Sequence, residues 1–355
     1  MRIRSAGRHR KSKPVSRSRL GSRRWTAMLV PVLAVTTAAT VVGAVSTAVA
    51  ADNPNPTVIV GGDPQGVAVD LDGKHAYVAS HADNALRVID TANQRVVGSI
   101  RVGANPLGVT VDPDSRHAFV TNYAENSVSV VDTANGKLIK NVPVGRNPAS
   151  VAVFPRDHFA FVTNFYSNTV SVIDTRILKV VDVVPVGVGP DGVAIDPRTE
   201  LAYVVNSGSN TVSVIDIKKK KLVRNILVGR APQKVAIDPD GRHAYVTNFG
   251  DHTISVIDLP TTLATDLYNA IVKLRVNNVI RVGINPRGLA VAPDSKHAVV
   301  VNVGEDTMSV IDTANATVIS TSYVGYSPDQ VAVGPDGTAY VTSRGDGTVT
   351  VIRRS

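Results

Sequence analysis

The chain of 355 residues contains no cysteine, a single tryptophan and three methionines, and aromatic residues make up 5% of it. The lack of cysteine excludes disulfide bonds, thiolate zinc sites, iron–sulfur clusters and cysteine nucleophiles. Acidic residues are missing from residues 1–50, and neither a G-x-S-x-G sequence nor a paired-histidine zinc motif occurs. Several common kinds of catalytic and metal site are therefore excluded by composition.

The basic residues are distributed unevenly. The chain has 38 Lys+Arg against 29 Asp+Glu, which gives a formal net charge of +9, but ten of the basic residues precede Trp25. Without residues 1–50, 28 basic residues face 29 acidic ones, a net charge of −1. The basic character belongs to the first segment, so the rest of the chain is not predicted to bind nucleic acid.

Residues 1–50 have the organisation of an export signal. A basic segment ends at Arg23–Arg24, an apolar stretch covers Met28–Val49, and the small residues of Ala48–Ala50 precede Ala51. This pattern predicts a signal peptide over 1–50, similar to a bacterial twin-arginine signal, and a mature chain that is secreted or at the cell surface. The alternative is an uncleaved membrane anchor, since the apolar stretch is long enough to span a bilayer. No second stretch approaches that length, so no membrane span is predicted in the mature chain.

After Ala51 the sequence repeats itself. A Gly-x-x-Pro loop recurs every 42 residues, except for one interval of 54, and its glycines are Gly61, Gly103, Gly145, Gly187, Gly229, Gly283 and Gly325. A tetrapeptide follows each loop in step, and its first residues are Tyr77, Phe119, Phe161, Tyr203, Tyr245, Val299 and Tyr340. Seven copies with almost no intervening sequence predict a single repeat domain over residues 51–355.

Each copy contains four short Val- and Ile-rich stretches separated by turn residues. Runs such as Thr211–Asp216 place a small polar serine between apolar neighbours, the two-residue period of a packed strand. Four antiparallel strands per repeat of about 40–45 residues are typical of a β-propeller. We therefore predict an all-β fold, a seven-bladed β-propeller with four antiparallel strands per blade.

The two chain ends are predicted to meet in one blade. The seventh copy ends after its third strand, at Val349–Ile352, and Thr57–Val60 has the composition of a fourth strand but precedes the first Gly-x-x-Pro loop. We therefore expect the N-terminal strand to complete the last blade and to close the ring.

Tyr245-Val-Thr-Asn248 and its flanking residues give the repeat a specific resemblance. The chain resembles the YVTN-repeat family of bacterial and archaeal β-propellers, which are often secreted or at the cell surface, from Thr57 to Ile352. The resemblance implies the propeller fold. It implies no single activity, because similar seven-bladed folds include lactonases, lyases and binding modules.

Two sets of repeated polar residues are interpreted as structural. Histidines recur beside the first hairpin turn, at His75, His117, His243 and His297, and aspartates end the third strand of most copies, at Asp90, Asp132, Asp174, Asp216, Asp258 and Asp312. Equivalent positions in a ring lie far apart, so the histidines are expected to pack turns rather than bind a metal. The aspartates are expected to accept backbone N–H groups in the hairpins. No catalytic residue, metal site or cofactor is predicted.

A ligand site is expected where the repeat varies on the face of the Gly-x-x-Pro loops, because blade packing does not dictate those residues. The residues directly after the prolines lie at the mouth of the central channel, and the candidate ligand-binding residues among them are Gln65, Asp191, Gln233, Arg287 and Asp329. Such a set suits a small polar or anionic ligand, with Arg287 as the partner of a charge.

The opposite face has two irregular features. A hairpin turn of the fourth copy carries Lys218, Lys219, Lys220 and Lys221, a candidate contact for an acidic surface or a partner. The next copy holds an insertion at about 260–278, where Leu263, Leu267, Ile271 and Leu274 have helical spacing. The alternative is that this helix packs on its own blade and that the lysines face solvent.

The sequence favours a secreted binding or scaffold module, expected to be a monomer, whose ligand is a small molecule, a protein or a cell-wall component. The alternative is a lactonase- or lyase-like enzyme that uses the channel mouth, with or without a divalent metal. Both remain open, because the fold occurs with either function and no catalytic constellation is visible.

Overall fold

Each repeat forms one four-stranded antiparallel sheet. The computed structural model describes residues 55–154, 156–260 and 271–353, and these residues form seven such sheets. In chain order the sheets are blades 1 to 7, and the strands of each blade run from the channel outward. The predicted signal peptide over 1–50 lies outside the described residues. No helix within the described ranges is long and apolar enough to cross a membrane.

The strand boundaries follow the repeat closely. In the first four blades the strands are β2 Pro64–Val69, β3 His75–Ser80, β4 Ala85–Asp90, β5 Arg95–Arg101; β6 Pro106–Val111, β7 His117–Asn122, β8 Ser127–Asp132, β9 Lys137–Pro143; β10 Pro148–Phe154, β11 Phe159–Asn164, β12 Thr169–Asp174, β13 Lys179–Pro185; and β14 Pro190–Asp196, β15 Leu201–Asn206, β16 Thr211–Asp216, β17 Lys221–Leu227. In the last three they are β18 Pro232–Ile237, β19 His243–Asn248, β20 Thr253–Asp258, β21 Val276–Arg281; β22 Pro286–Val291, β23 His297–Asn302, β24 Thr307–Asp312, β25 Thr317–Tyr323; and β26 Pro328–Val333, β27 Ala339–Ser343, β28 Thr348–Ile352, with β1 Thr57–Ile59 as the outermost strand.

The predicted fold and ring closure are confirmed. The innermost strands contact one another in a complete circle, and β26 of blade 7 contacts β2 of blade 1. The N-terminal strand pairs antiparallel with β28, with Thr57 opposite Thr350 and Ile59 opposite Thr348. The last blade is therefore completed by the start of the propeller, as the missing fourth strand of the seventh copy predicted.

The apolar core lies between blades. Seven clusters of buried residues occur in the described part of the chain, and each joins two neighbouring blades. The first residue of the tetrapeptide is central to this packing, since Tyr203 of blade 4 is fully buried against Val235, Ala244 and Val246 of blade 5. Burying one such side chain contributes about 1.5–3 kcal/mol, so adjacent blades stabilise each other.

The threonine of the tetrapeptide links neighbouring inner strands. Thr247 Oγ1 accepts the N–H of Lys234 at 3.0 Å and donates to the carbonyl of Arg287, in the next blade, at 3.0 Å. The same bridge is made in four blades of the described chain, by Thr121, Thr163, Thr247 and Thr342. The inner wall of the channel is thus tied together by side-chain hydrogen bonds between blades that share no backbone ladder.

The asparagine of the tetrapeptide holds the Gly-x-x-Pro loop. Asn206 Nδ2 donates to Thr211 Oγ1 at 3.0 Å and to Ser213 Oγ at 2.9 Å, which fixes the side chain against the loop. A Cβ on Gly187 would lie 2.6 Å from Asn206 Cγ, so the loop requires glycine at this point. The repeated histidines and aspartates belong to turns as expected: His117 Nδ1 lies 2.8 Å from Asp112 Oδ2, and Asp132 accepts the backbone N–H of Asn135 at 3.0 Å.

Replacing Tyr203 by Phe should stabilise the protein, most clearly in alkaline solution. Tyr203 Oη is buried and has no hydrogen-bond partner within the described residues, and removing such a hydroxyl is expected to gain about 1 kcal/mol. Burial raises the pKa of Tyr203 above its ordinary value. The stability that depends on the neutral phenol is therefore present below about pH 10 and is lost as the pH rises further.

The test is urea unfolding of both proteins between neutral and alkaline pH, where Tyr203→Phe should show the smaller loss. Phe161 occupies the equivalent site of blade 3, so the ring fits without the hydroxyl. Tyr166→Phe, at a side chain 57% exposed, is the control and should leave the curve unchanged. Equal alkaline losses in Tyr203→Phe and the unmodified protein would contradict the prediction.

Candidate functional site

The channel mouth is built by an irregularity at the start of every inner strand. The proline that opens the strand pairs with the end of the second strand, but the register then shifts, as between Pro148 and Val151 of β10. The same shift follows the proline in all seven inner strands of the described chain. The two residues after each proline therefore leave the regular ladder, and the first of them differs between most blades.

These residues surround a polar cavity on the propeller axis. Its volume is about 140 Å³, and its polar lining includes Ser150, Asp191, Lys234, Arg287, Asp329 and Gln330. Valines and a leucine one step further along the strands, such as Val193 and Leu289, form its apolar floor. A small cavity with a few convergent polar groups is the usual form of a small-molecule site.

Two ion pairs cross from blade to blade in this lining. Lys234 Nζ of blade 5 lies 2.8 Å from Asp191 Oδ1 of blade 4 and 2.9 Å from Ser150 Oγ of blade 3. Arg287 Nη1 of blade 6 lies 2.5 Å from Asp329 Oδ1 of blade 7. The carboxylates are 11% and 2% exposed, so both pairs are largely shielded from water.

A third ion pair lies beside the junction of blades 7 and 1. Arg344 Nε donates to Asp63 Oδ1 at 2.7 Å, and Gln65 Nε2 donates to Asp63 Oδ2 at 3.2 Å. Burial alone would raise the pKa of Asp63, but the hydrogen bonds from Arg344 and Gln65 and the Arg344 charge outweigh it and lower the pKa. Arg344 Nη1 also lies 3.9 Å from Asp329 Oδ1, which connects this pair to the channel.

The structure brings together most of the predicted ligand-binding residues. Asp191, Arg287 and Asp329 line the cavity, and Gln65 is buried beside it, next to the lining residue Gly66. Gln233 is not among the lining residues; in blade 5 the following residue, Lys234, reaches the cavity. Whether any of them binds a ligand stays a prediction.

The sequence prediction covers only the first residue after each proline, so it does not include Lys234, Ser150 or Gln330. A signal for them existed in the sequence. The second residue after the proline is glycine in the other four copies, at Gly66, Gly108, Gly192 and Gly288. A polar side chain at a position that is otherwise glycine is a departure of the same kind as those that identified Arg287 and Asp329.

On the opposite face, the lysine turn has partners within the propeller. Lys218 Nζ lies 2.5 Å from Glu200 Oε2, Lys219 Nζ lies 3.1 Å from Asp216 Oδ2, and Lys220 Nζ lies 4.6 Å from the centre of the Phe159 ring. Lys221 begins β17. The amines remain mostly exposed while the carboxylates are buried, so a surface contact through Lys218–Lys221 stays a prediction.

The insertion near 260–278 is described only in part. Residues 261–270, with Leu263 and Leu267, lie outside the described residues, residues 271–273 are helical, and β21 begins at Val276. Ile271 and Leu274 are buried in the cluster between blades 4 and 5, and Arg224 Nη1 donates to the carbonyl of Ile271 at 3.0 Å. This described end of the insertion packs on the propeller rather than presenting an apolar face.

No group of three or more His, Asp or Glu side chains within residues 55–154, 156–260 and 271–353 is arranged to hold a metal ion.

Comparison with known proteins gives partial matches to two family models. One, described as a YNCE-like beta-propeller, matches residues 149–242, and the other, described as a Cytochrome D1 heme domain, matches residues 65–144. No curated protein sequence matches the chain significantly.

Among solved structures, the chain is similar to a chain of Kuenenia stuttgartiensis Hydrazine Synthase. The TM-score is 0.71 at 22% sequence identity, and the match covers 82% of this chain and 96% of that chain. At this identity the likeness concerns the fold alone. The chain is therefore a seven-bladed β-propeller, and the matches are consistent with its resemblance to YVTN-repeat propellers.

Proposed function

We propose that the protein is a binding module that holds a small polar molecule in the cavity at the channel mouth and performs no reaction itself. The observation that carries the proposal is Arg287 Nε, a buried donor of a lining residue that has no hydrogen-bond partner in the described chain; Gln65 Oε1, buried beside the cavity, has none either. Each buried polar group left without a partner costs about 1–3 kcal/mol. A ligand that donates to Gln65 and accepts from Arg287 would remove that cost.

The charges around the cavity favour a ligand that is polar without a large net charge. Lys234 is already paired with Asp191, and Arg287 with Asp329, so neither cation depends on an anionic ligand for neutralisation. An anion would have to compete with a carboxylate at 2.8 Å or less in each case. Hydroxyl and amide groups can instead bond to the remaining donors and acceptors at little electrostatic cost.

The alternative is an enzyme similar to the lactonases or lyases of this fold. The specific contact in its favour is that between Ser150 Oγ and Lys234 Nζ, since a serine beside an amine base is a known nucleophilic arrangement. However, Lys234 also donates to Asp191, and an ammonium ion held by a carboxylate does not accept the serine proton. The geometry thus favours Ser150 and Lys234 as groups that bind a ligand rather than as a nucleophile and its base.

A haem is implied by the name of one matching family model, and the cavity does not fit it. Pockets for drug-sized ligands measure about 300–1,000 Å³, whereas this cavity has about 140 Å³ and is lined by two ion pairs. A haem site also needs an axial ligand, and no histidine, methionine or tyrosine is among its lining residues. We derive no function through a haem.

We further propose that the binding module acts outside the cytoplasm, in the envelope or the medium of a bacterial cell. The proposal is supported by the basic, apolar and small-residue segments of residues 1–50. N-terminal sequencing of the exported protein, with Ala51 expected as the first residue, tests this part. A first residue within 1–24 would favour the uncleaved anchor.

The binding proposal is tested by thermal unfolding in the presence of glycerol, erythritol, glycine or lactate. A molecule that binds the native state raises its stability, by about 2.7 kcal/mol at a hundredfold excess over the dissociation constant. We expect a rise with at least one of these molecules and its loss in Gln65→Leu. Calcium, manganese and EDTA, added separately, test the alternative, for which a metal-dependent rise is expected.

Gln233→Leu is the matched control, because Gln233 occupies the equivalent position of blade 5 but, unlike Gln65, carries no buried atom that lacks a hydrogen-bond partner among the described residues. It should respond to the ligand as the unmodified protein does. An unchanged melting temperature with every molecule, or the same rise in Gln65→Leu, would contradict a polar site at the channel mouth.

A further inference from the structure

The interface between blades 6 and 7 lacks two side chains that the other interfaces have. At the first position of the tetrapeptide blade 6 carries Val299, where the other blades carry an aromatic ring at Tyr77, Phe119, Phe161, Tyr203, Tyr245 and Tyr340. On the outermost strand blade 6 carries Ser322, where blades 1 to 5 carry a buried Ile or Val at Ile100, Val142, Val184, Ile226 and Ile280. Both deficits fall on the surface that faces blade 7.

These two replacements coincide with a cavity. Its volume is about 420 Å³, three times that of the channel site, and its lining includes Val299, Met308 and Ser322 of blade 6 and Val333, Ala339 and Ile352 of blade 7. A tyrosine ring at position 299 and an isoleucine at 322 would extend into the space that these residues border. The cavity therefore includes the volume that the repeat normally fills with its own side chains.

The repeat itself indicates what fits there. At the preceding interface the Tyr245 ring, 1% exposed, packs among aliphatic residues that include Leu289 and Ile311. The blade 7 wall of the cavity consists of Val333, Ala339 and Ile352, which are also aliphatic. A single aromatic ring fits this wall in character, and the cavity has room for it, since an apolar cavity of about 150 Å³ binds benzene. Met308 replaces the Val, Leu or Ile of the other blades, and a thioether makes favourable contacts with ring edges.

One arginine lines the cavity. Arg353, an exposed lining residue, stands at the end of β28, where blades 1 to 6 have an aspartate at the end of the third strand. His297 also lines the cavity, with Nδ1 held 2.9 Å from Asp294 Oδ2. The hydroxyls of Ser320 and Ser322 add hydrogen-bonding groups to an otherwise apolar wall. A carboxylate attached to the ring would therefore meet an arginine in the lining.

We propose that this cavity is a second ligand site that binds a small aromatic carboxylate. Its ring lies between blades 6 and 7 where the other interfaces place a tyrosine or phenylalanine, and its carboxylate pairs with Arg353. The inference does not depend on the function of the channel site, which uses other residues at the start of the inner strands.

The test is isothermal titration calorimetry of the full chain with phenylacetate at millimolar concentration. We expect saturable binding, no binding of acetate, which has no ring, and weaker binding of benzyl alcohol, which has no charge. Val299→Tyr fills the cavity with the residue that four other blades carry at this position, so it should weaken phenylacetate binding at least about tenfold and raise the melting temperature. Ser322→Ile is a second filling variant, which keeps the test valid if Val299→Tyr folds poorly.

Two matched variants separate the site from general effects. Val318→Tyr adds the same side chain to blade 6 at a partly exposed residue outside the lining, and Gln65→Leu alters the channel site; both should bind phenylacetate as the unmodified protein does. Arg353→Gln should weaken phenylacetate but not benzyl alcohol. Absence of phenylacetate binding, or equal binding by both filling variants, would overturn the site. Equal loss of both molecules in Arg353→Gln would overturn the assignment of the carboxylate.

Discussion

Replacing Val58 by Asp should lower the free energy of unfolding by at least about 3 kcal/mol, more than expected from the size of a three-residue strand. Val58 is 4% exposed and packs with Val67, Ala76 and Ile89 of blade 1 and with Val349 of blade 7. The substitution removes this contact and places a carboxylate where no cation is paired with it. Because each blade depends on its neighbours, loss of this contact weakens both sides of the closure.

The neighbouring residue provides the control. Ile59 lies in the same three-residue strand and pairs with Thr348, but its side chain is 79% exposed. Ile59→Asp should therefore change the stability by no more than about 0.5 kcal/mol, as is usual for surface substitutions. Urea unfolding of both variants measures the difference. Equal stability of Val58→Asp and Ile59→Asp would show that β1 does not hold the ring closed.

The second large effect is expected in the channel. Lys234→Met should destabilise the protein by about 3–5 kcal/mol, because it leaves the carboxylate of Asp191 buried without its cation. Asp191 is 8% exposed, and the Lys234 amine is its ion-pair partner at 2.8 Å. The loss of stability comes from the unpaired charge of Asp191 rather than from lost packing, since methionine retains most of the apolar stem of lysine.

A double variant distinguishes these causes. Asp191→Asn combined with Lys234→Met removes both charges and should recover most of the stability lost in Lys234→Met alone. Chemical unfolding of the two single variants and the double variant gives the coupling between the residues. Additive effects would mean that Asp191 is solvated well enough to stand alone, and that the channel mouth is more open to water than the 11% exposure of its side chain indicates.

The fold was predictable because the same four-stranded pattern occurs in seven copies of the repeat. The sequence shows the interval of 42 residues, the four Val-rich stretches of each copy and the missing fourth strand after Val349–Ile352. Each of these features reflects local structure, such as a turn or an alternation of apolar and polar residues. The ring follows because every sheet must pack on a neighbour. The pairing of Thr57 with Thr350 follows from the same need.

The sites were predictable only in part, because they depend on small shifts in position. Every inner strand has the same bulge after its proline, yet in blade 5 the residue that reaches the channel is Lys234 and not Gln233, and composition alone does not indicate which of the two does so. The cavity between blades 6 and 7 was equally hidden. Val299 is visible as a departure from Tyr, but only the structure reveals that its partner Ser322 is also small and that the two deficits meet.

The pairing of β1 with β28 has a consequence for the order of events during synthesis. Residues 57–59 are synthesised about 290 residues before their partners at 348–350. At about 5–20 residues per second this leaves the first strand waiting for about 15–60 s while the other sheets assemble. An unpaired strand edge can pair with a second nascent chain. A strand of only three residues, however, offers few backbone groups to such a chain. Its shortness limits misassembly between chains before the propeller can close.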